Sequence, residues 1–474
     1  MTTRTKHIEH RLPLIWGGAL FLMLATWYSD WSFDDPFVTY RYAQNLAHGH
    51  GLVYTPGEHL LNTTSPLWAI ILAPLAQMGL DLPKGATLLS ALALALSAVL
   101  LAQLGRQWRT PLVGLSAMFL FPLLPYVRQA LGSEMPMLIL FALAAIRTYT
   151  RGQMHAASLL LALAVLTRTD AVLLAFLVGL HALAHRKLTF TPIALLSTPL
   201  ALWHGWAAFF YGSPFPATLA TKQAQARMAI SQSFTEGAIN LLTKMAQTPV
   251  GALLLLLLLI GALTMWWKPA SRMWVFFVIW SALHGMGYAI LHVSRYFWYY
   301  VPLMLGAAVA IGAGLALVLR RVPRQWRTAF FIILACWNML YLWHDRTSRD
   351  WRIGLYTQTG QWLATHTAPE ATIGTLEVGI IGYYAQRRMI DFAGLLQPEL
   401  ANLMFYDTNY DLLALWAFAH YAPDYVAIRD DTLAPLKNAS LFQSRCRLLH
   451  TVHHASTSRV MYIYACHEKS RPSP

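Results

Sequence analysis

Charge is scarce in this sequence. Only 12% of its 474 residues are Asp, Glu, Lys or Arg, against 57% hydrophobic ones. A soluble chain of this length would carry about twice that charge, so an ordinary water-soluble protein is excluded. Metal-ligand spacing is also missing: the sequence has 18 histidines, but His48/His50 and His453/His454 read as loop or surface residues, because structural zinc needs about four converging ligands. No internal repeat and no matched pair of interrupted apolar segments appears, which argues against a transporter or flippase. No small-residue cleavage site follows the first apolar run, which reads Ala25-Thr26-Trp27-Tyr28, so that run is expected to stay as an anchor.

What is present is a series of apolar stretches of roughly 20 residues, recurring from Leu12 almost to Trp343. They predict an α-helical polytopic membrane domain over 1–343. From His344 to Pro474 the charges return and the apolar runs shorten to strand length, which predicts a small α/β domain over 344–474. The net charge of +14 does not point to nucleic acid, because the bases gather at alternate helix ends. They stand at Arg4/Lys6/Arg11, Arg106/Arg109, Arg147/Arg151, Arg186/Lys187, Lys268/Arg272 and Arg320/Arg321/Arg324/Arg327. With the N-terminus cytoplasmic, every cluster falls inside by the positive-inside rule, provided residues 66–80 dip into the outer face without crossing. The spans then fall at 12–28, 86–104, 111–127, 135–149, 154–167, 171–185, 191–211, 248–267, 273–291, 296–319 and 328–343. That makes about eleven, with the C-terminal domain outside the cytoplasm of a cell-membrane protein.

The first outer loop, 29–85, is the most specific segment. Two adjacent acids, Asp34-Asp35, follow the first span and are followed by Pro36, which suits the first turn of a helix. Acids there also suit plain capping of that helix. The loop continues through Gly49-His50-Gly51 and Tyr54-Thr55-Pro56-Gly57-Glu58 to Thr64-Ser65-Pro66-Leu67-Trp68.

This wording resembles the membrane-embedded glycosyltransferases of the GT-C class. It is most similar to the branch of mycobacterial terminal arabinofuranosyltransferases and related protein mannosyltransferase-like enzymes. Weaker matches are Gly132-Ser133-Glu134-Met135-Pro136, Thr167-Arg168-Thr169-Asp170, Pro214-Phe215-Pro216-Ala217-Thr218 with Lys222, and Arg295-Tyr296; Ala217 stands where the class usually has Asn. The resemblance implies transfer of a sugar from a polyprenyl-phosphate donor to a glycan, lipid or protein of the cell envelope. A ligase or polymerase acting on lipid-linked glycans is the alternative within the class. A membrane anchor presenting the C-terminal domain would need neither the many spans nor the acidic pair.

Such a transfer needs a base for the acceptor hydroxyl and a cationic or metal site for the departing phosphate. The resemblance implies that the first acid, Asp34, is the base, with Asp35 as its orienter or a metal ligand and Glu134 as a second acid of the site; the reverse order of Asp34 and Asp35 stays open. A divalent ion held by Asp34, Asp35 and Glu134 stays open. Cations at membrane depth are normally paired or functional, so Lys222, Arg295, Arg168 and Arg41 are candidates for the donor phosphate. Arg168 also suits a simple pair with Asp170, and Arg41 a structural salt bridge.

In the C-terminal domain, Thr372–Leu376, Met389–Asp391 and Tyr425–Ile428 read as strands. Glu377 and Asp391 at strand ends are candidates for acceptor binding, against capping and turn roles. Cys446 and Cys466 flank two alternating runs and are equidistant from Ser456. A hairpin turning there sets them opposite, at a spacing that a cross-strand disulfide bridges outside the cytoplasm.

Overall fold

The computed structural model describes residues 3–348, 350–405 and 407–466, with residues 3–10 as backbone alone. The side chains of Arg4 and Lys6, and residues 467–474 of the expected C-terminal domain, lie outside the described residues. In chain order the main elements are α1 (Thr3–Trp27), α2 (Asp35–Ala47), α3 (Pro66–Gln77), α4 (Leu82–Gln107), α5 (Pro111–Leu120), α6 (Met135–Thr150), α7 (Met154–Thr167), α8 (Val172–Ala184) and α9 (Phe190–Tyr211). Then come α10 (Thr218–Gln225), α11 (Phe234–Ala246), α12 (Pro249–Trp267), α13 (Val275–Leu291), α14 (Val301–Leu319), α15 (Arg324–Asp345) and α16 (Arg352–His366). The rest is β1 (Thr372–Thr375), α17 (Ile380–Ala385), β2 (Arg388–Asp391), α18 (Tyr410–Tyr421), β3 (Tyr425–Arg429), β4 (Cys446–His453) and β5 (Val460–Cys466).

Every stretch read as a span holds a helix. Leu82–Gln107, Phe190–Tyr211, Pro249–Trp267, Pro269–Leu291 and Phe297–Leu319 are long and apolar enough to cross a membrane. Arg11–Trp27, Pro66–Gln77, Pro111–Leu123, Met135–Thr150, Met154–Thr167 and Thr169–Ala184 are apolar but shorter. α3 has 12 residues and is about 18 Å long, too short for a bilayer core of about 30 Å. Small residues set the helix crossings. A Cβ on Gly261 would collide with the Ala310 carbonyl, and one on Gly314 with the Leu257 carbonyl, so α12 and α14 meet backbone to backbone.

The C-terminal sheet has the order β2-β1-β3-β5-β4. β1 pairs in parallel with β2 and β3, while β5 runs antiparallel to β3 and β4. Val378–Tyr383, which continues the first strand in sequence, turns into α17 and supplies the crossover from β1 to β2. This domain does not pack by itself. Phe37, Tyr40 and Tyr42 of α2 and Trp68 of α3 share one buried cluster with Leu355, Tyr356, Ile380 and Ile381. Tyr54 in the loop between α2 and α3 donates its hydroxyl to the Val378 carbonyl at 2.6 Å.

In the final hairpin, Cys446 stands opposite Cys466 and is bonded to it. Cys336, in α15, is free. Alkylation of the denatured, unreduced protein should therefore modify Cys336 alone, with Cys446 and Cys466 reacting only after reduction. Mass spectrometry of the peptides reads the result, and modification of all three cysteines before reduction would refute the bond.

Candidate active site

The acidic pair splits in the fold because neighbouring residues on a helix point about 100° apart. Asp34 is the residue preceding α2. Its Oδ1 accepts the Ile380 N–H at 2.7 Å and its Oδ2 the Gly379 N–H at 3.1 Å, so it is bound to the start of α17. Arg41, seven residues on, returns to the same face of α2. Its guanidinium donates to the carbonyls of Gly382 at 3.0 Å and Arg387 at 2.6 Å, and lies over the Tyr54 ring. The acid thus meets the amide end of α17 and the base its carbonyl end, the arrangement the helix dipole favours.

Burial pushes the Asp34 carboxyl up to about 8; Glu377 and Asp35 add to the rise, against the two amide bonds that lower it. Burial likewise raises Asp391 to about 7. Both folded values lie above the usual range near 4. Their stability contributions are therefore fully present below about pH 4 and are lost as pH rises through about 7 to 8. The thermal midpoint of the purified protein should fall across that window, and less so in Asp34→Asn. A midpoint independent of pH would show that the Asp34 charge is accommodated without cost.

Asp35 points elsewhere, into a pocket lined by Val38, Thr39, Asn62, Thr63, Thr64, Thr218, Lys222, Leu395 and Leu396. Its Oδ1 lies 4.0 Å from Lys222 Nζ. Lys222 is 6% exposed, and its ammonium sits over the rings of Tyr296, Trp298 and Tyr299 at 4.6, 5.5 and 5.4 Å. Burial alone would lower its pKa, but Asp35 and Tyr299 outweigh that and hold it above its ordinary value. Two further groups on the pocket wall, Asn62 Oδ1 and Thr218 Oγ1, are buried without a hydrogen-bond partner. Unpaired buried polar atoms are uncommon and call for an explanation, such as a ligand or a water. The cleft holds about 30 Å³, room for one water molecule.

Its cover comes from the C-terminal domain. Asp391 accepts the N–H groups of Ala393, Leu395 and Leu396 and so shapes the loop that carries Leu395 and Leu396. Thr221 and Gln225 of α10 donate to the Gly394 and Ala393 carbonyls, which fastens that loop beside Lys222.

The other candidates lie outside the pocket. Glu134 accepts from Arg168 at 2.8 Å, and Arg168 also bonds Asp170 at 3.0 Å and the Tyr288 hydroxyl at 2.8 Å. Arg295 donates to Gln232 at 2.7 Å and packs on Gly237. Glu377 accepts from the Tyr356 hydroxyl and lies 3.7 Å from Arg429. A divalent ion on Asp34, Asp35 and Glu134 does not fit this arrangement, since backbone amides hold Asp34 and Arg168 holds Glu134. Among the described residues no three His, Cys, Asp or Glu converge as ligands.

Sequence reasoning did not single out Asn62, and it quoted Thr218 and Tyr296 only as parts of matching words, without placing them around Lys222. The signal available for Asn62 was the polar run Asn62-Thr63-Thr64-Ser65 between apolar neighbours. Leu395 and Leu396 carry no local signal.

Comparison with known proteins adds the following. A family model described as a domain of unknown function (DUF8728) matches residues 343–464, and no curated protein matches the sequence. The structure is similar to that of ArnT from Cupriavidus metallidurans bound to undecaprenyl phosphate, at 13% identity and a TM-score of 0.59 over 98% of both chains. The apo structure of that ArnT gives 12% identity and a TM-score of 0.58, again over 98% of both. The chain therefore has the fold of these ArnT structures along nearly its whole length, membrane helices and C-terminal sheet together.

Proposed function

We propose that this protein is a membrane glycosyltransferase of the GT-C class that moves a sugar from a polyprenyl-phosphate donor to a cell-envelope acceptor at the outer face of the cytoplasmic membrane. The observation that carries the reading is the buried Lys222 ammonium set 4.0 Å from the Asp35 carboxylate in one pocket beside the membrane helices. The likeness to a structure that holds undecaprenyl phosphate supports a donor of that class.

In this reading Asp35 takes the proton of the acceptor hydroxyl as its oxygen bonds to the sugar's anomeric carbon. The bond from that carbon to the phosphate oxygen breaks, and the electron pair leaves on the phosphate, where Lys222 offsets the charge. Tyr296, Trp298 and Tyr299 exclude water around Lys222 and so strengthen its field. Asp34, Arg41 and Asp391 position the pocket from outside it. Leu395 and Leu396 lift to admit the donor, since the closed cleft is smaller than a sugar ring. Arg168 and Glu134 brace the wall behind Tyr299.

The test is transfer of radiolabelled sugar in membranes expressing the protein, using a panel of polyprenyl-monophosphate sugars and, in parallel, polyprenyl-diphosphate glycans. Transfer from a monophosphate donor supports the reading. Transfer from diphosphate donors alone would make the protein a glycan ligase or polymerase, and no transfer from any donor would set the glycosyltransferase reading aside.

A further inference from the structure

At the end of the membrane domain opposite Asp35 and Lys222, α8 and α13 flank a cavity of about 670 Å³. The two ends are easily told apart. α8 starts beside Asp170 and the Arg168 network, and runs to His185. α13 finishes next to Ser294, whose N–H donates to the Lys222 carbonyl at 2.9 Å, and starts beyond Arg272. The 17 residues of α13 separate the ends by about 25 Å. Leu177, Leu180, Met273, Phe276 and Ile279 line the cavity, with Trp266 on its flank and His185 and Arg272 at its rim. Leu180 and Trp266 are exposed, so the opening faces the lipid.

Among the described residues no acid pairs with the cations of the rim. Arg186, Lys187, Lys268 and Arg272 make no ion pair among the described residues. From residue 82 to residue 345 the acids are Glu134, Asp170, Glu236 and Asp345. Glu134 and Asp170 pair with Arg168, Asp345 pairs with Arg128, and Glu236 caps α11 at Ser233. None of them lies at the cavity's end. His185 spends Nδ1 on the His181 carbonyl at 2.9 Å. The His181 ring stacks on His185 at 4.1 Å and bonds Tyr149, which fixes this wall of the cavity.

We infer that this cavity is a binding site for an anionic phospholipid of the inner leaflet, with one acyl chain along Leu177, Leu180, Phe276 and Ile279 and the phosphate at Arg272 and His185. The volume lies within the roughly 300–1,000 Å³ of ligand sites. A basic pocket between membrane helices at the cationic end is where an anionic headgroup gains from both charge and burial of its chain. Exposed Trp266 and Trp267 mark the interface depth at which such a headgroup lies. This inference is independent of the reaction at Asp35.

The purified protein is placed in nanodiscs of equal phosphatidylglycerol and phosphatidylcholine, released in the mass spectrometer, and its retained lipid counted. Wild type is expected to retain phosphatidylglycerol in preference. Arg272→Gln should lower that preference about fivefold, the effect of the roughly 1 kcal/mol that one basic residue contributes near an anionic surface. Arg320→Gln, a cation of the same end outside the cavity, should keep it, and Ile279→Trp should lower total retention by filling the groove. Equal retention of both lipids by wild type overturns the proposal, whether or not the variants fold. So does an equal loss in Arg272→Gln and Arg320→Gln, which would mean a diffuse charged ring. Preferential retention of added polyprenyl phosphate would also overturn it, assigning the groove to the donor's tail.

Discussion

Asp35→Asn is expected to lower sugar transfer by at least about 10²-fold, and by up to about 10⁴-fold, the contribution of a positioned base. Asn keeps the volume and one oxygen but cannot take a proton, so the change isolates the chemistry from the packing. The geometry favours Asp35 over Asp34 for this role. Both oxygens of Asp34 already accept amide hydrogens from α17, whereas Asp35 has an oxygen facing Lys222 in the pocket. Asp34→Asn should act differently, loosening the grip of α2 on the C-terminal domain and lowering the thermal midpoint together with activity. The two are compared as initial transfer rates in membranes with protein levels matched by immunoblot, alongside midpoints of the purified variants. A fully active Asp35→Asn beside an inactive Asp34→Asn of unchanged midpoint would return the base to Asp34.

Arg168→Met should be the most damaging single change to stability. Arg168 is 6% exposed and holds Glu134 and Asp170 at once. Removing it leaves two buried carboxylates without their cation, Asp170 keeping only the Tyr288 hydroxyl, a loss of about 3–5 kcal/mol for a broken buried pair. The expected result is a sharp fall in detergent-solubilised yield and midpoint, partly recovered in Glu134→Gln/Arg168→Met, where one of the stranded charges is also gone. If Arg168 instead binds the donor phosphate, Arg168→Met will keep the wild-type midpoint and raise the KM for donor. The double-variant comparison separates these outcomes, because recovery by neutralising Glu134 has no meaning for a phosphate ligand.

The sequence made the helices legible because apolar length is a strong local signal, and a helix stands in every predicted span. It marked Lys222, Arg295, Arg168 and Arg41 as unusual because charge near lipid is costly, and Asp34, Asp35 and Glu134 through the wording that resembles the GT-C class. Their partners were less legible, since pairing depends on which face of a helix meets which neighbour far along the chain. Arg41 illustrates this. Its distance of seven residues from Asp34 puts the two on one side of α2, but that they grip opposite ends of α17 depends on residues 379–387. The cover over Lys222 was illegible for the same reason: Leu395 and Leu396 look like any pair of core leucines until the turn built on Asp391 lays them against α10. The cysteine pair was readable because a hairpin is local and its register follows from counting residues.

The bond between Asp34 and Ile380 joins positions 346 residues apart, and it bears on how the protein matures. Chains are made from the N-terminus, and early segments settle before late ones exist. During synthesis the first loop therefore reaches its surroundings with Asp34 bare and the cleft beside Asp35 lacking its roof. Both are completed only when the final quarter of the chain has folded against α2 and α10. A molecule cut before residue 379 would keep its membrane helices yet lack both the partners of Asp34 and the roof of the pocket. The pocket beside Asp35 is thus assembled only after residues 379–396 have been made and have folded back onto α2 and α10.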